Sequence, residues 1–207
     1  MKLEAKNISF GYGNGPEIIH NVSFSLESGQ RIGLAADSGY GKTTLCQLLS
    51  GYETPKKGEI LLDGRPLSLW EKENGGYCPV QLLWQHPEQA VNPRRKMGAV
   101  IAEGDGIDQR ILEGLGIREE WMERYPGELS GGELQRFCIA RALGKRTKFL
   151  LADEMTAMLD LITQSEIWTF LLEEVKRRDL GLLVVSHSQA LLEKVCESVI
   201  DLERING

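Results

Sequence analysis

The stretch from Ala35 to Thr44 reads AADSGYGKTT. It matches the pattern G-x-x-x-x-G-K-[ST] of a phosphate-binding loop, except that Ala36 stands at the first glycine position. The largely apolar run QRIGLA before it predicts a buried strand, and the leucines that follow at helical spacing predict a helix ending near Gly51. Strand, glycine loop and helix in this order are the context in which such a loop binds phosphate.

The residue types inside the loop indicate what each position does. Backbone N–H groups from Gly39 to Thr43 are expected to converge on phosphate oxygens, with Lys42 reaching the β- and γ-phosphates and Thr43 ligating Mg²⁺. We expect a negative φ at Ala36, where alanine costs nothing and stiffens the loop, because Gly39 and Gly41 make the closest approach to phosphate. A positive φ there would instead store strain. The alternative for this segment alone is an ordinary glycine turn with a solvated lysine.

Composition limits the class of protein. With 207 residues, 42% of them hydrophobic, the chain can bury one sizeable core. A formal net charge of −6 argues against a general nucleic-acid-binding protein, which would show a basic face. The four cysteines include no C-x-x-C pair, as is typical of reduced cytosolic thiols, and no apolar run is long enough to span a membrane. We therefore expect a soluble cytoplasmic protein that binds no nucleic acid.

The hydrophobic pattern changes along the chain. Three segments predict strands of a β-rich first part: 2–10, 18–26 and 59–62. The middle, from 87 to about 127, is more polar and interrupted by glycines. The last third predicts strands at 149–152 and 182–185 with a helix at 164–178 between them. This βαβ alternation predicts an α/β fold with a parallel sheet covered by helices.

A second motif lies downstream, where residues 129–136 read LSGGELQR and a helical pattern follows. Ser130 is of the residue type that caps a helix, and Gly131 and Gly132 expose backbone N–H groups at the positive end of that helix. These residues predict a second anion site. Two such helix ends in one chain suggest a nucleotide held between them, whereas the alternative is a merely capped helix.

Nearly the whole sequence resembles the nucleotide-binding subunits of ATP-binding cassette (ABC) transporters. AADSGYGKTT resembles the Walker A loop, LSGGELQR the signature sequence, and FLLADE at 149–154 the Walker B strand with its following glutamate. Gln85 matches the Q-loop glutamine, Asp160 in AMLD the D-loop, and His187 in VVSHS the switch histidine. The resemblance implies a P-loop NTPase core with a parallel sheet, an N-terminal antiparallel β subdomain and an inserted helical signature subdomain.

The same resemblance implies a single domain spanning 1–207. Its nucleotide-binding core with the β subdomain would comprise about 1–86 and 141–207, and its helical subdomain about 87–140.

The resemblance also implies an ATPase with ATP and Mg²⁺ at its site. Glu154 would polarise the attacking water or accept its proton, while His187 and Gln85 would contact the γ-phosphate. Mg²⁺ would be held by Thr43, Gln85 and Asp153. The residues expected to bind the nucleotide are Tyr12, Ser38, Gly39, Tyr40, Gly41, Lys42, Thr43, Thr44, Ser130, Gly131, Gly132 and Asp160. Among them, Tyr12 resembles the aromatic residue that stacks on adenine.

The run QHPEQAVNPR at 85–94 resembles the Q-loop region of oligopeptide, dipeptide and nickel importers, as does the RYP run at 124–126. This implies an importer subunit that dimerises with a copy of itself or with a sister ATPase. It would drive separate membrane permease subunits, meet a solute-binding protein indirectly, and lie peripherally on the inner face of the cell membrane.

Three alternatives to an importer subunit make different demands on the sequence. An ATPase component of a cytosolic enzyme complex, as in phosphonate breakdown, stays open because such ATPases closely resemble those of peptide importers. A soluble ATPase acting on DNA or ribosomes would show paired cassettes, long coiled-coil insertions or basic arms, and the sequence has none. A catalytically dead binding module would be expected to have lost Glu154 or His187, yet both are present.

Overall fold

The computed structural model describes residues 1–37, 39–73 and 75–206. The strands of these ranges are β1 (Lys2–Phe10), β2 (Ile19–Glu27), β3 (Arg31–Ala35), β4 (Lys57–Leu62), β5 (Arg65–Pro66), β6 (Val80–Leu83), β7 (Phe149–Asp153), β8 (Gly181–Val185) and β9 (Ser198–Asp201). The α-helices are α1 (Lys42–Leu49), α2 (Leu67–Glu73), α3 (Met97–Ala102), α4 (Gln109–Gly114), α5 (Gly131–Ala142), α6 (Leu161–Arg178), α7 (Gln189–Val195) and α8 (Leu202–Ile205). Short 3₁₀ turns cover Pro87–Gln89, Glu119–Glu123 and Pro126–Glu128.

The central layer is a parallel sheet with the strand order β6-β7-β8-β3-β9. Every residue of β7 and β8 is buried, because helices and the second sheet cover both faces. This is why these strands are continuous apolar runs in the sequence and do not alternate. The α/β fold with a parallel sheet is confirmed.

The second layer is an antiparallel sheet with the order β2-β1-β4-β5. Its inner face packs with α1 and the parallel sheet in one core that includes Leu3, Leu26, Leu45 and Leu62. The predicted 2–10 strand is confirmed, and β2 lies one residue later than predicted. Strand β4 begins two residues earlier than predicted, because its first three residues are exposed and carry no apolar signal although Lys57 pairs with Ser9.

Helix α6 also begins earlier than predicted, at Leu161. Asp160 caps its first turn, and Leu161 and Ile162 are exposed at 81% and 74%. The buried face of the helix, which determines its hydrophobic pattern, therefore starts later than the helix itself. A separate cluster that includes Met97, Val100 and Phe137 fills the helical segment between β6 and β7. This cluster supports the division into core and helical subdomain, which stays a prediction.

The fold places the chemically important segments at one edge of the parallel sheet. Residues 36–37 and 39–41 come after β3, Gln85 follows β6 by two residues, Asp153 ends β7, and His187 follows β8 by two residues. In open parallel sheets, the carboxyl ends of the strands form the crevice in which ligands bind.

Candidate functional site

The loop after β3 has the backbone that phosphate binding requires. Gly39 and Gly41 have φ values of +89° and +87°, a conformation that strongly favours glycine. At Gly41 a Cβ would also meet the Ile18 Cγ2 atom at 2.9 Å. Gly41 lies at the N-cap of α1, where no side chain caps the helix, so the first N–H groups of α1 are available to an anion. Ser38 lies outside the described residues.

Lys42 braces this loop from inside. Its side chain is buried, and Nζ donates hydrogen bonds to the carbonyl oxygens of Ala36 at 2.7 Å and Asp37 at 2.9 Å. Ala36 is not among the residues with positive φ, and it packs against the core shared by the two sheets. The expectation of a negative φ is therefore confirmed, and alanine at the first motif position carries no backbone strain of this kind.

The end of β7 brings two carboxylates to the loop. Asp153 is 4% exposed, and burial raises the pKa of its carboxyl group, partly opposed by a hydrogen bond from the Thr43 hydroxyl. Glu154 has a φ of +47°, and its N–H donates to the Val185 carbonyl oxygen at 3.0 Å. A left-handed conformation at a non-glycine residue costs on the order of 1 kcal/mol or more, and such strain is found mainly at functional sites.

Glu154 and His187 form a pair. The Glu154 Oε1 and His187 Nε2 atoms are 3.0 Å apart, and half of the His187 side chain is exposed. Together with the loop they line a cavity of about 240 Å³, which we call the strand-end cleft. Its lining residues are Ile18, Gly39, Gly41, Lys42, Thr43, Thr44, Glu154 and His187. The structure therefore brings the loop and the predicted catalytic pair together, with the exposed Tyr40 beside them in the loop.

The second motif begins α5 as predicted. Ser130 is its N-cap: Ser130 Oγ accepts a hydrogen bond from the Glu133 N–H at 3.3 Å, and the Glu133 carboxylate accepts one from the Ser130 N–H at 2.8 Å. Gly131 and Gly132 follow at the start of the helix. A Cβ at Gly131 would meet no atom within 4 Å, so this end of α5 faces open space.

The second motif lines a different cavity, of about 720 Å³, which we call the signature cleft. Among its lining residues are five of the predicted site residues: Gln85, Ser130, Gly131, Gly132 and Asp160. Gln85 thus lies with the second motif and does not line the strand-end cleft. Within one chain, the two predicted anion sites face two separate cavities.

Asp160 acts here as a helix cap. Its Oδ1 accepts hydrogen bonds from the N–H groups of Ile162 and Thr163, both at 3.0 Å, and its Oδ2 accepts one from the Thr163 hydroxyl at 2.7 Å. The bond from the Thr163 N–H is the main reason that the pKa of the Asp160 carboxyl is lowered. Met155, Met158 and Leu159, from the segment before this cap, also line the signature cleft.

Tyr12 lies beside the start of α1, and its side chain is 46% exposed. Its ring packs edge to face on Phe10, with ring centroids 5.0 Å apart. The Tyr12 hydroxyl donates to Gln47 Oε1 at 2.7 Å and lies 3.3 Å from Thr44 Oγ1. Gln47 was not among the predicted site residues, although its spacing of three residues from Thr44 on a predicted helix places both on one face.

Thr43 and Asp153 are a suitable donor pair for a magnesium ion. Mg²⁺ prefers oxygen ligands and usually takes only one or two carboxylates, with waters and phosphate completing its shell. A buried carboxylate whose pKa is raised by desolvation gains from a nearby cation. Within 1–37, 39–73 and 75–206 there is no cluster of three or more His, Cys, Asp or Glu side chains suited to a metal. The same ranges contain no helix that is both long and apolar enough to cross a membrane.

A family model described as ABC transporter matches residues 19–157. A nickel import ATP-binding protein of Rhodospirillum rubrum is 34% identical over 203 residues, which cover 90% of this chain and 72% of that protein. An oligopeptide transport ATP-binding protein of Streptococcus mutans is 30% identical over 216 residues, which cover 95% and 70%. Among solved structures, a dimeric ATP-binding cassette with ADP and Pi bound has a TM-score of 0.80 at 22% identity, covering 96% of this chain and 93% of that one.

Proposed function

Because the chain belongs to the ABC transporter family and is one of its ATP-binding, ATP-hydrolysing subunits, we propose that it energises an importer of the peptide or nickel type. Two similarities support this solute class. The relatives described above are named for nickel import and oligopeptide transport. The runs QHPEQAVNPR and RYP resemble the corresponding segments of such importers. The solute itself is carried by permease subunits that this chain would drive.

The observation that carries the mechanism is the separation of the two clefts. Lys42 and Thr43 line one cleft and Ser130 the other, so a single chain cannot close both motifs over one ATP. We propose that two subunits dimerise around two ATP molecules, each pairing its strand-end cleft with the signature cleft of the other. Met158, Leu161 and Ile162, exposed at 69%, 81% and 74%, supply apolar surface at this face. The second subunit is another copy or a sister ATPase.

Within the strand-end cleft, we assign the triphosphate to the N–H groups of the loop from Gly39 to Thr43 and to the Lys42 ammonium. Thr43 and Asp153 would hold Mg²⁺, with Gln85 reaching it from the neighbouring cleft. The bound ion supplies positive charge that stabilises the phosphate oxygens. Tyr40 and Thr44 complete the loop contacts.

Hydrolysis needs a base, and Glu154 is placed to serve as one. Its carboxylate lies in the cleft with the phosphate loop, where it can accept a proton from the attacking water. His187 Nε2 lies 3.0 Å from Glu154 Oε1 and orients this carboxylate. The other side of the His187 imidazole ring would contact the γ-phosphate. The left-handed backbone of Glu154 supports its role as the base, because strained conformations at non-glycine residues cluster at active sites.

Tyr12 is proposed to stack on adenine. The side chain is half exposed and stands next to Thr44, a lining residue of the strand-end cleft, so a base attached to phosphates in this cleft lies within its reach. Stacking of this kind carries little base specificity. The subunit would work at the inner face of the cell membrane with a solute-binding protein acting indirectly, and no nucleic acid takes part.

The partner can be tested directly. Affinity-tagged protein is purified from detergent-solubilised membranes of the native host, and the companions are identified by mass spectrometry. We expect integral membrane subunits that co-purify in stoichiometric amount. Recovery of soluble enzyme subunits without any membrane protein would overturn the importer assignment in favour of a cytosolic enzyme complex.

A further inference from the structure

The ring of Tyr12 is held at two points by groups outside its own turn. Phe10 supports the ring face-to-edge, and Gln47 Oε1 accepts the hydroxyl proton at 2.7 Å. A tyrosine hydroxyl has a single proton to donate, so the Thr44 hydroxyl at 3.3 Å is the donor in its contact with Tyr12. The hydroxyl of Tyr12 is therefore a link between the turn after β1 and one face of α1.

The turn itself gives the ring little support. Residues 11–15 read GYGNG, and the backbone is closed by a hydrogen bond from the Gly15 N–H to the Tyr12 carbonyl oxygen at 2.9 Å. Lys56 Nζ anchors the same turn through the Gly13 carbonyl oxygen at 2.6 Å. These bonds fix the backbone, but they leave the χ1 and χ2 angles of Tyr12 to the side-chain contacts.

The two residues of α1 that meet Tyr12 differ in one respect. Thr44 is buried and lines the strand-end cleft, so its hydroxyl is available to a phosphate oxygen once the cleft is filled. Gln47 lies one turn further along the same face and does not line that cleft. Its bond to Tyr12 is compatible with a filled cleft, whereas the Thr44 bond competes with phosphate.

We infer that Gln47 is a positioning residue that holds the Tyr12 ring in the orientation in which it receives the nucleotide base. The inference rests on the proposed stacking role of Tyr12. Gln47 touches neither base nor phosphate, and it acts through the Tyr12 hydroxyl alone. The link also joins the Tyr12 ring to α1, the helix whose N-terminus would bind the phosphates. The base and the phosphates would then be bound by groups that are connected to each other.

Gln47→Met tests this role, because methionine has a similar length and no oxygen to accept the hydroxyl proton. We expect Mg-ATP to bind about two- to tenfold more weakly, the effect of one lost hydrogen bond, and inorganic tripolyphosphate, which has no base, to bind unchanged. Both affinities are measured by competition against a fluorescent ATP analogue. Gln109→Met, at an exposed position of α4, is the matched control and should change neither.

A double-mutant cycle separates positioning from a structural effect. Tyr12→Phe alone should weaken ATP by the same factor as Gln47→Met, because it removes the same bond. On the Tyr12→Phe background, Gln47→Met should then have no further effect. A loss of affinity that persists on that background, or an equal loss for ATP and tripolyphosphate, would show that Gln47 merely stabilises the fold and would overturn the inference.

Tyr12→Ala distinguishes failure of the inference from failure of its premise. If Tyr12→Ala weakens ATP and Gln47→Met does not, stacking stands and the role of Gln47 falls. Unchanged ATP affinity in Tyr12→Ala would overturn the stacking role and the inference with it. A wild-type protein that binds neither ATP nor tripolyphosphate would contradict the assignment of the strand-end cleft as a phosphate site.

Discussion

The two clefts are built around helix N-termini of opposite kinds. Helix α1 begins after Gly41, an N-cap residue that offers no side-chain cap, so its first N–H groups need a partner from outside the chain. Helix α5 begins with a complete capping box between Ser130 and Glu133, so its first donors are already partly satisfied. The strand-end cleft is therefore suited to hold a phosphate group by itself. At the signature cleft, only the N–H groups of α5 that the capping box leaves free can bind an anion. This cleft would therefore add contacts to a nucleotide that the strand-end cleft of another subunit already holds.

The backbone makes the same distinction. Glu154, a non-glycine residue with a positive φ, lines the strand-end cleft, whereas Ser130 at the signature cleft has an ordinary extended conformation. Strain is found where catalytic geometry has to be imposed, and its absence is expected where a surface only docks. ATP would thus be hydrolysed in the strand-end cleft, and the signature cleft would make this hydrolysis depend on a second subunit.

The largest effect is expected from removing the base of the strand-end cleft. Glu154→Gln keeps the shape of the side chain, and the rate of ATP hydrolysis should fall about a thousandfold, because a positioned general base contributes a factor of this order. ATP should still bind, and the ATP-bound variant should run as a dimer in size-exclusion chromatography with Mg²⁺, whereas the ADP-bound protein runs as a monomer.

Glu59→Gln, on the exposed end of β4, is the matched control for this experiment and should hydrolyse ATP at the wild-type rate. If the native pair includes a sister ATPase, the measurement is made on the mixed pair as well. A Glu154→Gln protein that stays monomeric with ATP in both settings would contradict dimerisation around the nucleotide.

The next largest effect tests the dependence on the second cleft. Ser130→Arg fills the open end of α5 with a long charged side chain, and ATP hydrolysis should fall about a hundredfold, the usual cost of losing one preorganised donor to the reacting phosphate. Binding of ATP to the monomer should stay at the wild-type level, because the strand-end cleft lies elsewhere in the chain. Ser68→Arg places the same change on exposed α2 as a control. Equal loss of ATP affinity and activity in Ser130→Arg would show that the two clefts are not independent.

Sequence patterns predicted the strand-end cleft better than the signature cleft for a physical reason. Strands β7 and β8 are buried on both faces, so their apolar runs located Asp153, Glu154 and His187 at the sheet edge. The contact between Tyr12 and Gln47 could not be predicted in this way, because it joins two residues 35 positions apart through one half-exposed hydroxyl. The position of Gln85 beside the signature residues likewise depends on how the helical segment packs, and no local pattern encodes that.

A smaller effect concerns the buried carboxylate at the end of β7. Burial raises the pKa of Asp153 above its ordinary value of 3.8, so the folded state binds this proton more tightly than the unfolded state does. Its charge therefore destabilises the fold at neutral pH and stops doing so as the pH falls toward the unfolded value. Without Mg²⁺, Asp153→Asn should raise the free energy of unfolding at pH 7 by on the order of 1 kcal/mol. With Mg²⁺ present, the same variant should lose ATP hydrolysis.

Urea denaturation at pH 7 and at pH 4, without divalent cations, measures this gain. The advantage of Asp153→Asn should shrink at the lower pH, because the raised pKa lets the folded wild-type protein take up the Asp153 proton as the pH falls, and the buried charge is then lost. A variant that is less stable than wild type at pH 7 would show that the hydrogen bond from Thr43 outweighs the cost of burying the charge.

The smallest effect is expected at Ala36, the one departure of the phosphate loop from its motif. Its φ is not positive, and its carbonyl oxygen accepts a hydrogen bond from Lys42 Nζ, which the carbonyl oxygen of a glycine could accept equally well. Ala36→Gly should leave ATP affinity within a few-fold of wild type and lower the free energy of unfolding by about 0.4–1 kcal/mol, because glycine gives the unfolded chain more freedom. Nucleotide titration and urea denaturation measure the two quantities. A tenfold gain in ATP affinity would show instead that alanine strains the phosphate loop at its first motif position, in addition to the strain at Glu154.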